Sequence, residues 1–300
     1  MKNENTAKFL SGFAAIVGRP NVGKSTLMNA MVGEKVAIVS NRPQTTRNRI
    51  MGVATDKDWQ IVFLDTPGLH KPRTRLGEYM VKSVQDAMDG IDVLLVLVDA
   101  NEIGPQDRAI VEEMSARKVK KILVLNKTDI VEEARLMAAI QSFAEAGYDA
   151  IVPISARTGK GMDELKKLIV SYLPEGPKYF PDDMMTDQPE RQICAEIIRE
   201  KLLWNLEREI PHGTAVEITK FSERDDGIID LEATIYCEKP SHKGIIIGKN
   251  GQMLKKISTM AREDCEKFMG TKVYLQTWVK VKENWRDSAA QLRNFGFTDQ

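Results

Sequence analysis

In the first half of the chain, short apolar runs alternate with amphipathic stretches. Phe13 to Val17 is one such run, and Ile91 to Val98 is another, nearly continuous through Val93-Leu94-Leu95-Val96-Leu97-Val98. Runs of this kind are expected for strands buried on both faces of a parallel sheet. Lys121 to Leu125 and Ala150 to Ile154 read as further strands, and Ile50 to Thr55 and Trp59 to Leu64 as a hairpin turning at Asp56-Lys57-Asp58. Between them, Thr26 to Val32, Arg75 to Ala87, Pro105 to Arg117, Val131 to Ala146 and Met162 to Leu173 carry helical periodicity. The alternation predicts an α/β domain over residues 1–173, with a doubly wound, mostly parallel sheet and ligands at the carboxyl ends of its strands. Gly33 to Arg49 has no period and reads as a long polar loop, a length that is usually functional when it is ordered.

The pattern changes after residue 173. Pro174-Glu175-Gly176-Pro177 stops the last helix, and the chain to about residue 190 is rich in proline and aspartate, as a linker is. From 191 to 300 a second, smaller α+β domain is predicted. Arg191 to Ile210 reads as a helix with Cys194, Ile197, Ile198, Leu202 and Leu206 on one face. Thr214 to Phe221 and Ile228 to Cys237 alternate as paired strands. Gln252 onward carries Leu254, Ile257, Ala261, Cys265 and Phe268 on one helical face. Val273 to Lys282 reads as a strand and Asp287 to Asn294 as a last helix.

Composition narrows this picture only slightly. The 300 residues suffice for two domains, and 43 basic residues balance 43 acidic ones. Any polyanion-binding surface must therefore be local. Three widely spaced cysteines, Cys194, Cys237 and Cys265, lack metal-type spacing and read as buried thiols in a reducing compartment. No apolar run is long enough to span a bilayer, and Met1 to Gly12 lacks a signal-peptide core. The expected location is the cytoplasm, with peripheral membrane contact left open.

The chemistry starts between the first strand and the first helix, at Gly18-Arg19-Pro20-Asn21-Val22-Gly23-Lys24-Ser25 followed by Thr26. This is the phosphate-binding pattern G-x-x-x-x-G-K-[ST] in the strand–loop–helix context it needs. Backbone N–H groups and the helix dipole attract phosphate, Lys24 reaches the β- and γ-phosphates, and the Ser25 hydroxyl suits Mg2+. The strand ending in Asp65-Thr66-Pro67-Gly68 offers a carboxylate that holds Mg2+ through water, and a Gly68 N–H for the γ-phosphate. Asn126-Lys127-Thr128-Asp129 chooses the base: Asp129 accepts both N–H donors of guanine, whereas adenine would place a lone pair against it. Asn126 bonds the base edge and the loop, Lys127 lies over the ring, and Ser155-Ala156 offers a backbone N–H to guanine O6.

Together these segments resemble the first, third, fourth and fifth motifs of translation-factor-class GTPases, and Pro43-Gln44-Thr45-Thr46-Arg47 resembles the second motif of the Era family. That resemblance implies a P-loop GTPase domain in which a switch threonine completes the Mg2+ shell, with Thr46 favoured over Thr45. Lys24, Thr46 and Gly68 are then the catalytic set. Leu69 stands where Ras-like proteins carry a water-positioning glutamine, so slow intrinsic hydrolysis is expected, with another group or a partner completing the site. His70 and Lys71 read as solvated rather than as substitutes. Asn21 matches the asparagine of GTPases resembling MnmE that use K+, so potassium activation is a second expectation.

In the second half, helix, two strands, G-x-x-G, helix, strand, helix is the layout of a type II KH domain, whose loop clamps single-stranded nucleic acid. Gly248-Lys249-Asn250-Gly251 would let a sugar–phosphate chain approach, with Ile245 and Ile247 lining a groove for bases. Six Lys/Arg and no Asp/Glu occur from Lys239 to Arg262, among them Lys243, Lys249 and Lys255. Arg286, Lys280 and Lys282 could extend the surface. Trp278 and Trp285 read as packing residues, and His212 and His242 as loop residues.

The family resemblance spans nearly the whole chain. It implies a monomeric switch that binds GTP or GDP with Mg2+ and recognises the 3′ end of 16S ribosomal RNA in small-subunit assembly, with peripheral membrane association. Two alternatives stay open: a second domain that docks protein or membrane instead of RNA, and a passive RNA-binding protein for which turnover is irrelevant.

Overall fold

The computed structural model describes residues 8–69, 72 and 74–297. Two compact units emerge: residues 1–37, 46–70 and 81–187 form the first, and residues 38–45, 71–80 and 188–300 the second.

The first unit is built on a six-stranded sheet in the order β2-β3-β1-β4-β5-β6. The strands are β1 (Leu10–Val17), β2 (Ile50–Thr55), β3 (Trp59–Asp65), β4 (Val93–Asp99), β5 (Lys120–Asn126) and β6 (Ala150–Pro153). Only the β2–β3 hairpin is antiparallel. Every residue of β4 is buried, as its unbroken apolar run requires. The helices are α1 (Lys24–Val32), α2 (Arg75–Ala87), α3 (Pro105–Ser115), α4 (Glu133–Ser142) and α5 (Met162–Tyr172). Apolar clusters fill both faces of the sheet, one around Ile16, Leu27, Phe63 and Val124, the other around Val17, Val62, Leu94 and Leu123.

Register sets where the chemistry goes. Ile16 pairs with Asp65, Val17 with Val96, Asp99 with Asn126 and Leu125 with Pro153. The carboxyl ends of five parallel strands are thus level, and the four motif loops that leave them lie along one edge.

The proline-rich stretch after α5 is not a free tether. Gly176 N–H bonds Phe9 O, Ser11 Oγ bonds Pro177 O, and Val53 N–H bonds Met185 O. Buried Gln60 uses its whole amide here. It donates to Thr55 Oγ1 and Phe180 O and accepts from the N–H groups of Tyr179 and Phe180, all at 2.9–3.0 Å. With Thr186 Oγ1 on Met51 O, this strap covers the open edge of β2.

The second unit has a three-stranded sheet, β7 (Ala215–Glu223), β8 (Ile229–Cys237) and β9 (Val273–Val281), with β7–β8 antiparallel and β8–β9 parallel. α6 (Glu190–Asn205), α7 (Pro240–Ile247) and α8 (Gln252–Met269) join it, and α9 (Ala289–Asn294) follows. The core holds Ile198, Leu202, Leu231, Ile235, Ile257 and Cys265. A second cluster gathers Leu76, Met80, Trp285 and Leu292. Trp285 is fully buried and donates Nε1–H to Gly213 O (3.0 Å), so it packs as expected. All three cysteines are buried and free.

In the second unit one helix end and one whole helix differ from expectation. α6 stops at Asn205, where Leu206 turns extended, not at Ile210. α7 has no counterpart in the expected layout: β-branched Ile245, Ile246 and Ile247 and a mid-helix Gly244 hide a helix that Pro240 starts. His242 therefore lies in a helix and not in a loop. Among the described residues, no helix is long and apolar enough to cross a membrane.

Candidate functional site

Gly18 and Gly23 shape the phosphate loop. Gly23 caps α1 at φ 100°, and a Cβ there would stand 2.3 Å from the Asn126 amide nitrogen. A Cβ on Gly18 would stand 2.5 Å from Leu97 O. Only glycine lets the loop close on its neighbours at these two points. Val22 is buried beneath the loop, and Asn21 is exposed at its tip with φ 66°. Thr26 lies half-buried in the first turn of α1.

Lys24 is buried and donates to the carbonyls of Gly18 (3.1 Å) and Arg19 (3.0 Å). Burial pulls its pKa down to about 8, against the attraction of Asp65. An ammonium held this way at a helix N-terminus is compensated best by an anion. Beside it three oxygens converge. Ser25 Oγ lies 2.7 Å from Asp65 Oδ2 and 2.9 Å from Thr46 Oγ1, which is itself 3.3 Å from Asp65 Oδ2. Asp65 is fully buried, burial raises its pKa, and its Oδ1 has no hydrogen-bond partner among the described residues. Hydroxyls around a buried carboxylate with an orphaned oxygen are a hard-donor set that suits Mg2+. Thr45 is placed otherwise: its hydroxyl bonds Arg42 O (2.7 Å) and Ser40 Oγ (2.9 Å).

The segment after β3 packs on the same loop. Thr66 Oγ1 donates to Ile16 O (2.8 Å), and Leu69 N–H to Gly18 O (3.1 Å). A Cβ on Gly68 would come within 2.8 Å of Pro20 backbone atoms, so Pro67-Gly68 lies flush against Pro20. Leu69 packs into the apolar cluster and carries no polar atom for a water. His70 and Lys71 lie outside the described residues. Arg19 is not turned to the site: its guanidinium pairs with Asp107 (2.9 Å) and bonds Glu102 O (2.8 Å).

At the other end, Asn126 ties three motifs together. Its Nδ2 donates to Val22 O (2.8 Å), and its Oδ1 accepts the Ala156 N–H (3.0 Å). Its amide is thus engaged by protein, and of the Ser155-Ala156 pair expected to offer guanine O6 a backbone N–H, the Ala156 N–H points at Asn126. Lys127 has φ 67° and pairs through Nζ with Asp99 (2.7 Å). Asp129 accepts from Ser155 Oγ (2.6 Å) and from Arg157, and the first of these holds its pKa below the usual carboxylate range. A carboxylate has about four acceptor directions, so two remain for a paired N–H donor. Arg157 had no signal beyond its place after Ser155-Ala156.

In the second unit the G-x-x-G turn joins two helices, α7 and α8. Gly248 (φ 73°, ψ 175°) ends the first, and Gly251 (φ 75°, ψ 7°) caps the second. Lys243, Ile245, Lys249, Asn250 and Lys255 are exposed, Ile247 is half-buried, and Ile246 faces the core.

Comparison with known proteins gives both halves a context. Residues 13–127 match a family model described as 50S ribosome-binding GTPase, and residues 209–286 match a KH domain. GTPase Era of Clostridioides difficile is 56% identical over 97% of this chain and all of its own. That of Ruminiclostridium cellulolyticum is 51% identical over 96% of this chain and 98% of its own. The chain belongs to the GTPase Era family. Two solved structures match along 97% of the chain and 100% of their own at 40% identity. They are an Aquifex aeolicus Era variant bound to GDP.AlF4− (TM-score 0.93) and Era in complex with MgGDPNP and nucleotides 1506–1542 of 16S ribosomal RNA (TM-score 0.91).

Within this family frame some expectations shift. Arg286 is engaged by Glu238 (2.6 Å), so it is not a free basic contact. Trp278 is 43% exposed and is not a core residue. It sits four residues after exposed Tyr274 on β9, a two-residue periodicity that places both on the open sheet face.

Proposed function

We propose that the protein binds GTP with Mg2+, hydrolyses it to GDP and phosphate, and couples that cycle to binding the 3′ end of 16S ribosomal RNA in small-subunit assembly. The observation that carries the first part is the convergence of Ser25, Thr46 and Asp65 beside buried Lys24 at the N-terminus of α1. The second part rests on the family and on the relative bound to 16S RNA. The 50S description belongs to a model matching residues 13–127 alone, so the whole-length relatives weigh more.

Ser25 and Thr46 would ligate Mg2+ directly and Asp65 through water; when bound, the ion neutralises charge developing on the phosphates. Lys24 and the backbone N–H groups of the loop from Gly18 to Thr26, Pro20 apart, hold the phosphates. Thr46 and Gly68 sense the γ-phosphate, and loss of that phosphate releases both segments. Asp129 selects guanine, with Asn126, Lys127, Ser155 and Ala156 shaping its pocket. Leu69 cannot orient water, so turnover is slow until another group or a partner completes the site. Asn21 presents an amide oxygen at the loop tip, a donor suited to K+. Residues 1–173 act as the GTPase part, 174–190 as the connection and 191–300 as the RNA-binding part. Lys243, Ile245, Ile247, Gly248, Lys249, Asn250, Gly251 and Lys255 form the RNA contact. The protein works in the cytoplasm as a monomer, and any membrane contact is peripheral.

The test is binding of the full chain to a single-stranded 16S 3′ fragment, with GDP and with a non-hydrolysable GTP analogue, at two salt concentrations. Nucleotide-dependent affinity that falls with salt is expected. Affinity left intact by the Gly248→Asp, Gly251→Asp double change would move the second half to protein or membrane partners.

A further inference from the structure

Within the first unit, β4 runs apolar from Val93 to Val98 and then ends in an acid, Asp99, which is buried. Strand register seats Asp99 beside Asn126, and the Ala100 N–H bonds Asn126 O (2.9 Å), so the acid stands next to the residue that precedes Lys127. Both oxygens of its carboxylate are engaged. Oδ1 accepts the Asn101 N–H (3.0 Å), and Oδ2 accepts from Lys127 Nζ (2.7 Å). Arg19 of the phosphate loop stands farther off, 4.0 Å away at Nη2, and its charge is met by both oxygens of Asp107 at 2.9 and 3.0 Å. Asp99 is thus the counter-ion of Lys127. The backbone hydrogen bond on Oδ1 fixes the carboxylate, which leaves Oδ2 as a rigid post for the ammonium.

A lysine free in water spreads over many rotamers, and a ligand that needs one of them binds more weakly for having to select it. Lys127 is spared that selection. Its backbone is held at φ 67°, its ammonium is held at Asp99, and the four-carbon stem is stretched between the two. We propose that Asp99 is a positioning residue for nucleotide binding: it pins the Lys127 ammonium so that the stem is already laid out as one wall of the guanine pocket. Asp99 acts through Lys127 and not on the nucleotide itself. GDP and GTP share the base, so both gain equally, and the γ-phosphate groups Thr46 and Gly68 take no part. This rests on the reading of the guanine pocket above.

The experiment measures GDP affinity, and kcat and KM for GTP, in full chains carrying Asp99→Asn, Lys127→Met or both changes. Asparagine keeps the shape and an oxygen for the Asn101 N–H but carries no charge. Asp99→Asn should weaken GDP about ten- to thirtyfold, the affinity equivalent of a lysine's rotamer freedom. KM for GTP should rise by a similar factor, because slow turnover makes KM a binding constant, and kcat should stay within about twofold. Lys127→Met keeps the stem and removes the ammonium that Asp99 holds. Adding Asp99→Asn to it should therefore weaken GDP by less than about twofold further. A folded Asp99→Asn chain that binds GDP within about threefold of wild type overturns the proposal. So do losses that multiply in the double variant, which mark action through Arg19 or the fold instead of through Lys127. A fall in kcat that parallels the fall in affinity marks a merely structural role and overturns it too. If Asp99→Asn does not fold, Asp99→Ser, which keeps an acceptor for Asn101 in less volume, carries the same measurements against the same limits. A wild-type chain with no affinity for GDP would instead sink the reading of the guanine pocket.

Discussion

Gly248 and Gly251 both hold positive φ, yet a methyl group would meet different surroundings at each. At Gly251 (φ 75°, ψ 7°) the added carbon finds nothing within 4 Å, so alanine costs only the left-handed backbone, about 1–2 kcal/mol. At Gly248 (φ 73°, ψ 175°) the backbone lies in a region essentially reserved for glycine, about 1–3 kcal/mol for another residue. There the new carbon would also stand 2.7 Å from Met253 Cβ and 3.0 Å from Met253 N, in the first turn of α8. Overpacking of that kind adds about 1–3 kcal/mol. Gly248→Ala should therefore destabilise the second unit by about 2–6 kcal/mol, and Gly251→Ala by about 1–2 kcal/mol. Urea unfolding followed by tryptophan fluorescence measures this. Trp204, Trp278 and Trp285 lie in the second unit and only Trp59 in the first, so the signal reports mainly the right transition. At Gly251 the loss in RNA affinity should exceed the modest loss in stability, because the turn itself meets the backbone. Equal destabilisation by the two substitutions, or a larger one at Gly251, would refute the geometric argument.

Other outcomes follow from the first unit and the basic helix. Asn126→Ala leaves Val22 O and the Ala156 N–H without partners, about 2–4 kcal/mol for two buried groups, and calorimetry should show both a lower melting transition and weaker GDP binding. Asp129→Asn should weaken GTP about a hundredfold by competition binding while improving xanthine nucleotides, whose extra carbonyl accepts the new amide N–H. Thr46→Ala should cut kcat at least tenfold while Thr45→Ala stays within about threefold, since only Thr46 meets Ser25 and Asp65. Chelating divalent cations should abolish turnover; equal rates in Na+ and K+ would remove the potassium expectation from Asn21. Lys249→Ala should reduce the log–log salt slope of RNA binding by about 0.7, and an unchanged slope would exclude a phosphate contact.

Much of the nucleotide site was legible because its chemistry is local. A strand, a glycine loop and a helix are contiguous, and motif spacing fixes which strand ends carry Lys24, Asp65 and Asp129. Strand register then aligns those ends, and a continuous apolar run such as Val93 to Val98 predicts such a central strand. What sequence does not carry is the choice of hydrogen-bond partner across long separations. Arg19 sits inside the phosphate motif, yet its side chain goes to Asp107, 88 residues away. Asn126 reads as a base contact, yet its amide bridges Val22 and Ala156. Asp99 shows only as the acid that ends an apolar strand, and nothing local says that it meets Lys127, 28 residues away. The helix at Pro240 to Ile247 was hidden for a different reason: isoleucine and glycine disfavour helix intrinsically, and packing of Ile246 into the core outweighs that preference.

The buried thiols have a practical consequence. Cys194, Cys237 and Cys265 are each fully shielded, and burial pushes the Cys237 thiol above its ordinary pKa. The native chain therefore offers an alkylating dye no exposed thiol. One cysteine introduced at an exposed position, such as Asn250 in the turn or Asn41 in the loop before Thr46, would be labelled almost alone. A fluorophore at either place needs no cysteine-free background, so the nucleotide cycle and the arrival of RNA could be followed in real time on an otherwise unaltered protein.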